Sequence, residues 1–464
     1  MNFYRLLWVA AVYLILTVQG KEIVNDITQL NPILVNRVVS PTTVQEISNL
    51  VATHNGPISI GGGRYSQGGQ TATDNCLFID MRNLNRVISL NAKDKIITVQ
   101  AGITWRKIQE YIDHENLSIM IMQSFSNFTV GGSLSVNAHG RYVGQGSIIR
   151  SVQSIKLVMA DGKIKNASRS ENPDLFYSAI GGYGGIGVIV EATLKLAMNT
   201  PIERNTKKMA ASKYRDFFLK NIRDSQATVF HNADLYPPHY SKINAVSWTQ
   251  TSKPVTTSER LAPQKPAPFL NRWLLEWFSS GLGGKFCREH VYDPITYSFQ
   301  KRVLRNHEAS SDLLSLEPVS RTKSTYALQE YFIPVDQFEN FVEILASILN
   351  KNKANVLNVS VRHAFPDNES ILSWSRNEVF SFVIYYKQGT KKKDKEAVSI
   401  WTNKLINAAI SVGGSYYLPY QIIATKEQFL KAYPNARKFF AIKSKVDPEN
   451  KFQNKLWDAY YKNP

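Results

Sequence analysis

"QSFSNFTVGGSLSVNAHGRYVGQGS", residues 123–147, interleaves glycines with Ser124, Ser126, Asn127, Thr129, Ser133, Ser135 and Asn137 and a single His139. Bare backbone and short polar side chains suit close approach by a large, flat ligand that takes many hydrogen bonds. Upstream lies "SIGGGRYSQGGQ", Ser59–Gln70, directly after the apolar "GPISI". Successive glycines there admit φ > 0 and turn N–H groups inward, forming a nest for an anion. No Gly-Lys-Ser/Thr follows, so the loop is not a P-loop; the Rossmann fingerprint fits poorly, because no third glycine falls in register and no helix opens after it. A third cluster, "DLFYSAIGGYGGIGVIVEATLKL", feeds an apolar run.

Around these clusters, "PISIGG", "CLFIDM", "RVISL", "KIITVQAG", "SIKLVMADG" and "IGVIVEATLKL" have the length and β-branched content of strands, while "TWRKIQEYIDHENL" has helical spacing. An α+β domain follows. The polar, proline-containing "AMNTPIERNTKKMAASKYRD" changes the texture and marks a boundary near residue 200. Beyond it, "VDQFENFVEILASILNKN" and "KEAVSIWTNKLINAAISVGG" read as helices and "NEVFSFVIYYKQ" as an aromatic-rich strand, the pattern of a sheet covered on one face by helices. The run "KKKDKE", residues 391–396, reads as a solvated loop.

The 464 residues, 43% of them hydrophobic, suffice for two domains with cores of their own. Lysine and arginine outnumber acidic residues by 55 to 37, a net charge of +18 that favours anionic ligands or membrane surfaces and is equally a solvated basic surface. No zinc-finger spacing or RNA-binding signature points to nucleic acid, no metal site is assigned, and Cys76 and Cys287 form no CxxC. The apolar run Leu6–Val18 after Arg5 is shorter than the about 20 residues of a membrane-spanning helix and matches a signal-peptide core, so residues 1–20 read as an export signal or an N-terminal anchor. The segment 262–286 places Phe269, Trp273, Leu274, Trp277 and Phe278 beside Arg272 and Lys285, open to core packing or to contact with a membrane surface.

The ordered set "IGGGRYSQGG", "IDMRNLNRV", "ITVQAGITW", "TVGGSLSVNAHG", "ADGKI", "NPDLFYSAIGGYGGIGVI" and "YPNARKFFAIKSKVDPENKFQN" resembles the vanillyl-alcohol-oxidase-type (PCMH-type) flavoproteins. It is most similar to the decaprenylphosphoryl-ribose oxidases and more loosely to sugar and aldonolactone oxidases. The resemblance implies FAD, held in a two-subdomain FAD-binding domain (21–199) beside a substrate, or cap, domain (200–424), with residues 425–464 returning to the first. It also implies that Gly61, Gly62, Gly63, Arg64, Tyr65 and Ser66 cradle the pyrophosphate. Ser124, Thr129, Val130, Gly131, Gly132, Val136, Asn137, Ala138 and His139 would line the ribityl chain and the ring, Ile189 would lie near the adenine, and Tyr417 would meet the flavin. Many relatives bond the flavin covalently through a histidine in the first loop; Arg64 stands there and cannot form that bond, so noncovalent FAD is expected. The sequon Asn127-Phe-Thr129 falls inside the proposed flavin loop, where a glycan would block the cofactor.

The chemistry implied is hydride transfer from a carbinol of a sugar, lactone or lipid-linked sugar to flavin N5, with reoxidation by oxygen or another acceptor. It requires a proton acceptor and a group that stabilises negative charge. In "NVSVRHAF" the alternation places Arg362 with Ser360 and turns His363 to the opposite face. Sugar oxidases of the family have a glutamate two positions before that arginine; here it is Ser360. Glu330 in "EYFIP" is the available substitute, open also to a surface or strand-pairing role. Tyr420 in "SYYLPYQIIAT" is a candidate for a proton relay or for ring packing, and Lys387 in "IYYKQ" is a further basic candidate. The family lysine near Tyr420 is absent. That absence leaves open a flavin-binding protein without redox chemistry, or a basic peripheral membrane protein.

Overall fold

The computed structural model describes residues 20–264, 276–279, 281–312, 318 and 320–461. Of the leader reading on residues 1–20, residues 1–19 lie outside the described residues, as do Phe269, Arg272, Trp273 and Leu274. The chain opens with a hairpin of β1 (Glu22–Val24) and β2 (Ile33–Val35). Next comes a parallel sheet of β3 (Arg37–Val39), β4 (Ile58–Gly61) and β5 (Leu77–Asp80) in the order β3-β5-β4. Helix Val44–Thr53 joins β3 to β4 and starts at Thr43, whose side chain accepts from the N–H of Glu46. β5 is buried at all four positions, as expected for a strand covered on both faces.

The second sheet is antiparallel, with β6 (Val87–Asn91), β7 (Ile96–Gln100), β8 (Leu117–Ile119), β9 (Val152–Val158), β10 (Ile164–Ser168) and β11 (Val188–Met198). Its order is β10-β9-β11-β7-β6, with β8 on the far end of β11. The helix expected in "TWRKIQEYIDHENL" is Trp105–Ile112, continued by a 3-10 turn.

An eight-stranded antiparallel sheet follows: β12 (Pro201–Ala210), β13 (Thr228–Leu235), β14 (Lys242–Gln250), β15 (Arg302–Leu304), β16 (Ser324–Pro334), β17 (Val356–Ala364), β18 (Val379–Gly389) and β19 (Ser415–Tyr416). The polar stretch after residue 200 is β12 itself, whose middle is exposed while its backbone pairs with β14 over nine residues. Helices Phe338–Lys351 and Lys392–Ser411 cover one face of the sheet. Phe341 meets Phe382 edge-on at 5.0 Å, and Trp401 meets Tyr386 in the same way at 4.9 Å. The run "KKKDKE" is not a loop: it caps and begins the second of these helices. Lysine and glutamate are good helix formers, and Asp394 accepts the backbone N–H of Lys391, so the charges stay solvated on a helical backbone.

The last residues return to the parallel sheet. Ile58 N–H donates to the Lys451 carbonyl at 2.7 Å, Gln453 N–H to the Ile58 carbonyl at 3.0 Å, and Phe452 bridges Ile58. Lys443, fully buried, pairs with Asp447 at 2.9 Å and donates to the carbonyls of Gly185 and Phe452. Among the described residues no helix is long and apolar enough to cross a membrane.

Candidate active site

A cavity of about 670 Å³ lies between the three glycine clusters and the face of the eight-stranded sheet that the helices leave open. Alternation along each strand selects what lines it: Leu328 and Glu330 from β16, Val383 and Tyr385 from β18, Ser360 and Arg362 from β17. Register then sets these residues in rows. Glu330 lies opposite Val383 and Val383 opposite Ser360, while Ser381 lies opposite Arg362.

Glu330 is the hub of the site, 3% exposed. His139 Nε2–H donates to Glu330 Oε1 at 2.6 Å and the Ser381 hydroxyl donates to the same oxygen at 2.5 Å. The Tyr420 hydroxyl donates to Oε2 at 3.1 Å. Burial alone would raise the Glu330 carboxyl, but the charge and hydrogen bond of His139, the Arg362 charge and the Ser381 hydroxyl together hold it below the usual carboxylate range. Tyr420 moves the other way: burial and the facing Glu330 carboxylate push its phenol well above 10, so it stays protonated and donates. His139 Nδ1 and Arg362 Nε are buried with no hydrogen-bond partner. A carboxylate, a protonated phenol and a guanidinium thus converge on one space, with one oxygen of the carboxylate fixed by His139 and Ser381 and the other facing the Tyr420 hydroxyl.

The loop carrying Tyr417 and Tyr420 is held by the first glycine loop. Gln67 N–H donates to the Pro419 carbonyl at 2.6 Å, and Gln70 Nε2 donates to the Leu418 and Tyr420 carbonyls at 2.6 and 2.7 Å. Gln67 Oε1 accepts from Leu328 N–H at 2.8 Å, adding β16 to the clamp. The backbones come so close that a Cβ on Gly68 would sit 2.3 Å from the Tyr420 carbonyl oxygen. Tyr417 donates to the Val136 carbonyl at 2.9 Å, tying the same loop to the second glycine cluster. Sequence reading missed Gln67, Gln70 and Ser381. The two amides flanking a glycine pair were a visible signal; Ser381 became meaningful only through the register of β18.

Of the expected cofactor residues, Gly62, Gly63, Arg64, Tyr65, Ser66, Ser124, Thr129, Gly131, Gly132, Val136, His139, Ile189 and Tyr417 line the cavity. Gly61, Val130, Asn137 and Ala138 do not. Gly61 packs on Phe78, where a Cβ would stand 2.3 Å from the ring. Val130 and Ala138 are buried in the core, and Asn137 turns its amide to Asp367 and Ser370 at 2.7 and 3.1 Å. Lys387 is also outside: it lies four residues along β18 from the Glu330–Val383 row, about 13 Å away, with its Nζ over the Tyr326 ring at 5.5 Å. His363 faces away from Arg362, donating through Nε2 to Glu378 at 2.8 Å among Phe218, Phe365 and Phe380.

Arg64 sits in the left-handed region at φ 59°, donates to Asp80 at 2.8 Å and lies over the Phe78 ring at 5.0 Å. Arg82 takes the same carboxylate. The guanidinium therefore holds loop structure, with Nε buried and lacking a partner at the cavity wall.

The residues present fit FAD. A Cβ on Gly62 would meet Thr129 Oγ1 at 2.2 Å, so the first and second glycine loops touch only because this position is bare. Ser124 Oγ and Thr129 Oγ1 are buried with no hydrogen-bond partner among the described residues, the condition of donors open to a polar ligand.

Comparison with known proteins agrees with this geometry. Residues 32–168 match the FAD binding domain family, and residues 238–460 match the D-arabinono-1,4-lactone oxidase family. The chain is 24% identical to L-gulonolactone oxidase of Bos taurus over 422 residues, covering 89% of this chain and 92% of that protein. It is also 24% identical to decaprenylphosphoryl-beta-D-ribose oxidase of Mycolicibacterium smegmatis, over 86% of this chain and 88% of that protein. L-galactono-1,4-lactone dehydrogenase 1 of Oryza sativa subsp. japonica is 31% identical over 224 residues, 48% of this chain and 34% of that protein. A cavity built for FAD and opening onto a buried carboxylate, phenol and guanidinium, in a chain similar to these enzymes along most of its length, places the protein in the PCMH-type FAD-binding oxidoreductases, as an FAD-dependent enzyme acting on CH–OH donors.

Proposed function

We propose that the enzyme oxidises a carbinol of a sugar, aldonolactone or lipid-linked sugar to the carbonyl, with Glu330 as the resting proton acceptor and FAD held without a covalent bond. The observation that carries this reading is the division of labour on Glu330: His139 and Ser381 occupy Oε1, and among the described residues Tyr420 alone reaches Oε2. When bound, the flavin supplies the hydride acceptor. The substrate hydroxyl gives its proton to the Tyr420 oxygen as the Tyr420 proton passes to Glu330 Oε2. Arg362 stabilises the negative charge that develops on the substrate oxygen. Gly62, Gly63 and Ser66 hold the pyrophosphate, Ser124, Thr129 and Gly131 the flavin itself, and Ile189 the adenine end.

Residues 21–199, with 425–464 returning to them, form a two-subdomain FAD-binding unit in this reading, and residues 200–424 form the substrate unit. Export of the chain, or anchoring through residues 6–18, and contact with a membrane surface through 262–286 belong to the same proposal. Two measurements test it. Anaerobic addition of aldonolactones, free sugars and lipid-linked sugars should bleach the flavin absorbance with at least one of them; a flavin untouched by the whole panel overturns the reading. Acid precipitation should leave the yellow colour in the supernatant, and colour in the pellet would overturn the noncovalent assignment.

A further inference from the structure

A segment that walls the cavity has a second face that the reaction does not use. Helix Leu282–Cys287, a π turn Arg288–Tyr292 and helix Asp293–Ser298 run on continuously, and Arg288, Tyr292 and Asp293 line the cavity. Phe286, Val291, Ile295 and Phe299 are instead 63%, 47%, 57% and 68% exposed. Their spacing is five, four and four. In a regular α-helix a step of five would swing the next side chain about 140° out of line; the wider π turn absorbs the additional residue, so the four apolar groups stay on one stripe.

The surroundings of the stripe are basic. Glu289 is matched by Lys208 and Lys242 at 3.2 and 3.5 Å, and Asp293 is buried, accepting from Tyr236 at 2.9 Å. Beside the stripe a shallow hollow of about 500 Å³ is bordered by Lys285, Lys353 and Lys387, with no acidic residue among its lining. Exposed apolar side chains next to lysines that make no ion pair among the described residues, on a chain of net charge +18, match the chemistry of an anionic lipid surface.

We propose that this face, from Phe286 to Phe299 with Lys285, Lys353 and Lys387 at its side, docks the enzyme on an anionic bilayer. The face adjoins the cavity wall through Arg288 and Tyr292. On the proposed enzymatic reading, docking there brings the cavity wall at Arg288 and Tyr292 to the bilayer, where a lipid-linked substrate would be presented.

The test uses the full chain and vesicles of phosphatidylcholine with or without phosphatidylglycerol. Sedimentation with the mixed vesicles is expected, weakened at least about tenfold in I295S/F299S through lost apolar insertion. In K285Q/K353Q/K387Q the preference for phosphatidylglycerol should disappear. Unchanged flavin absorbance in these variants shows that they are folded. If a variant does not fold, amide exchange of the wild type decides: vesicles should protect residues 282–299. Absence of vesicle binding, undiminished binding by both variants, or protection elsewhere overturns the proposal. So does a wild-type dimer that I295S/F299S dissociates without any vesicle binding, which would make the stripe an interface between copies. Because activity is not the readout, failure of the enzymatic reading leaves this result unaffected.

Discussion

Glu330 and Ser360 stand in one row of the eight-stranded sheet, two strands apart, each directly opposite Val383. On the proposed reading, Glu330 supplies from β16 the carboxylate that Ser360 cannot, at the same level of the same face. Glu330→Gln should retain flavin and lower the rate of flavin reduction by about 10²- to 10⁴-fold, the usual worth of a positioned proton acceptor. Restoring a carboxylate in the row, as E330Q/S360E, should recover part of that rate in stopped-flow reduction.

On the proposed reading, His139 sets the acid limb of activity through its contact with Glu330. Glu330 must be ionised to accept a proton, and its folded-state value lies below the ordinary 4.5 because His139, Arg362 and Ser381 outweigh burial. Activity is therefore present above that depressed value and is lost as pH falls through it. In His139→Ala, burial is left with less opposition, so the acid limb of kcat/KM should move to higher pH. An unshifted limb would exclude His139 from this role.

Tyr420→Phe removes the only protein donor to Glu330 Oε2 among the described residues. A fall in kcat of about tenfold or more, with little change in KM, is the expected signature of a group acting in proton transfer. Because the wild-type phenol lies well above 10, its ionisation contributes no alkaline limb below that pH, and both proteins should share the same alkaline profile.

Two glycine substitutions should separate cofactor holding from loop placement. In Gly62→Ala the new methyl group meets Thr129 Oγ1 at 2.2 Å, so flavin affinity should fall, read as a lower flavin-to-protein absorbance ratio. In Gly68→Ala the obstacle is the backbone oxygen of Tyr420 at 2.3 Å, so flavin should remain bound while kcat drops.

Glu378 is a stability group. Arg223 binds both its oxygens, at 2.6 and 2.8 Å, and His363 binds it at 2.8 Å. The Arg223 hydrogen bonds first, and His363 after them, bring its carboxyl down to about 2 from the usual 4.5. A depressed carboxylate stabilises the fold above the unfolded value and loses that contribution as pH falls through the folded one. Wild-type Tm should thus decline between pH 4.5 and 2, whereas Glu378→Gln should be less stable at neutral pH and decline less steeply across that window, where Asp80 and Glu330 still lose their own contributions.

Much of the architecture was legible in the sequence because it rests on local patterns. The six strand-like runs of the first half and the helix after Thr104 follow from apolar spacing and capping, and the alternation in "NVSVRHAF" correctly separated Arg362 from His363. The parts that stayed hidden depend on contacts between distant segments. Nothing local says that Glu330, Ser381 and His139 share one oxygen, since strand register across β16 and β18 brings them together. "KKKDKE" misled because charge density was read as solvation of the whole backbone, when only the side chains are solvated. Lys387 misled because its strand was right while its position along that strand was not visible.

The return of residues 451–453 to β4 has a consequence for how the molecule is made. The glycine loop Gly61–Ser66 leaves β4 directly, and β4 gains its last neighbour from a segment synthesised almost four hundred residues later. Lys443 closes the same join by binding the Gly185 carbonyl inside the third glycine cluster. The ribosome therefore releases the flavin cradle before its backing exists, and firm seating of the cofactor is expected only once Gln453 has emerged. A chain truncated before Lys443 should be made with every glycine of the cradle in place and still emerge colourless.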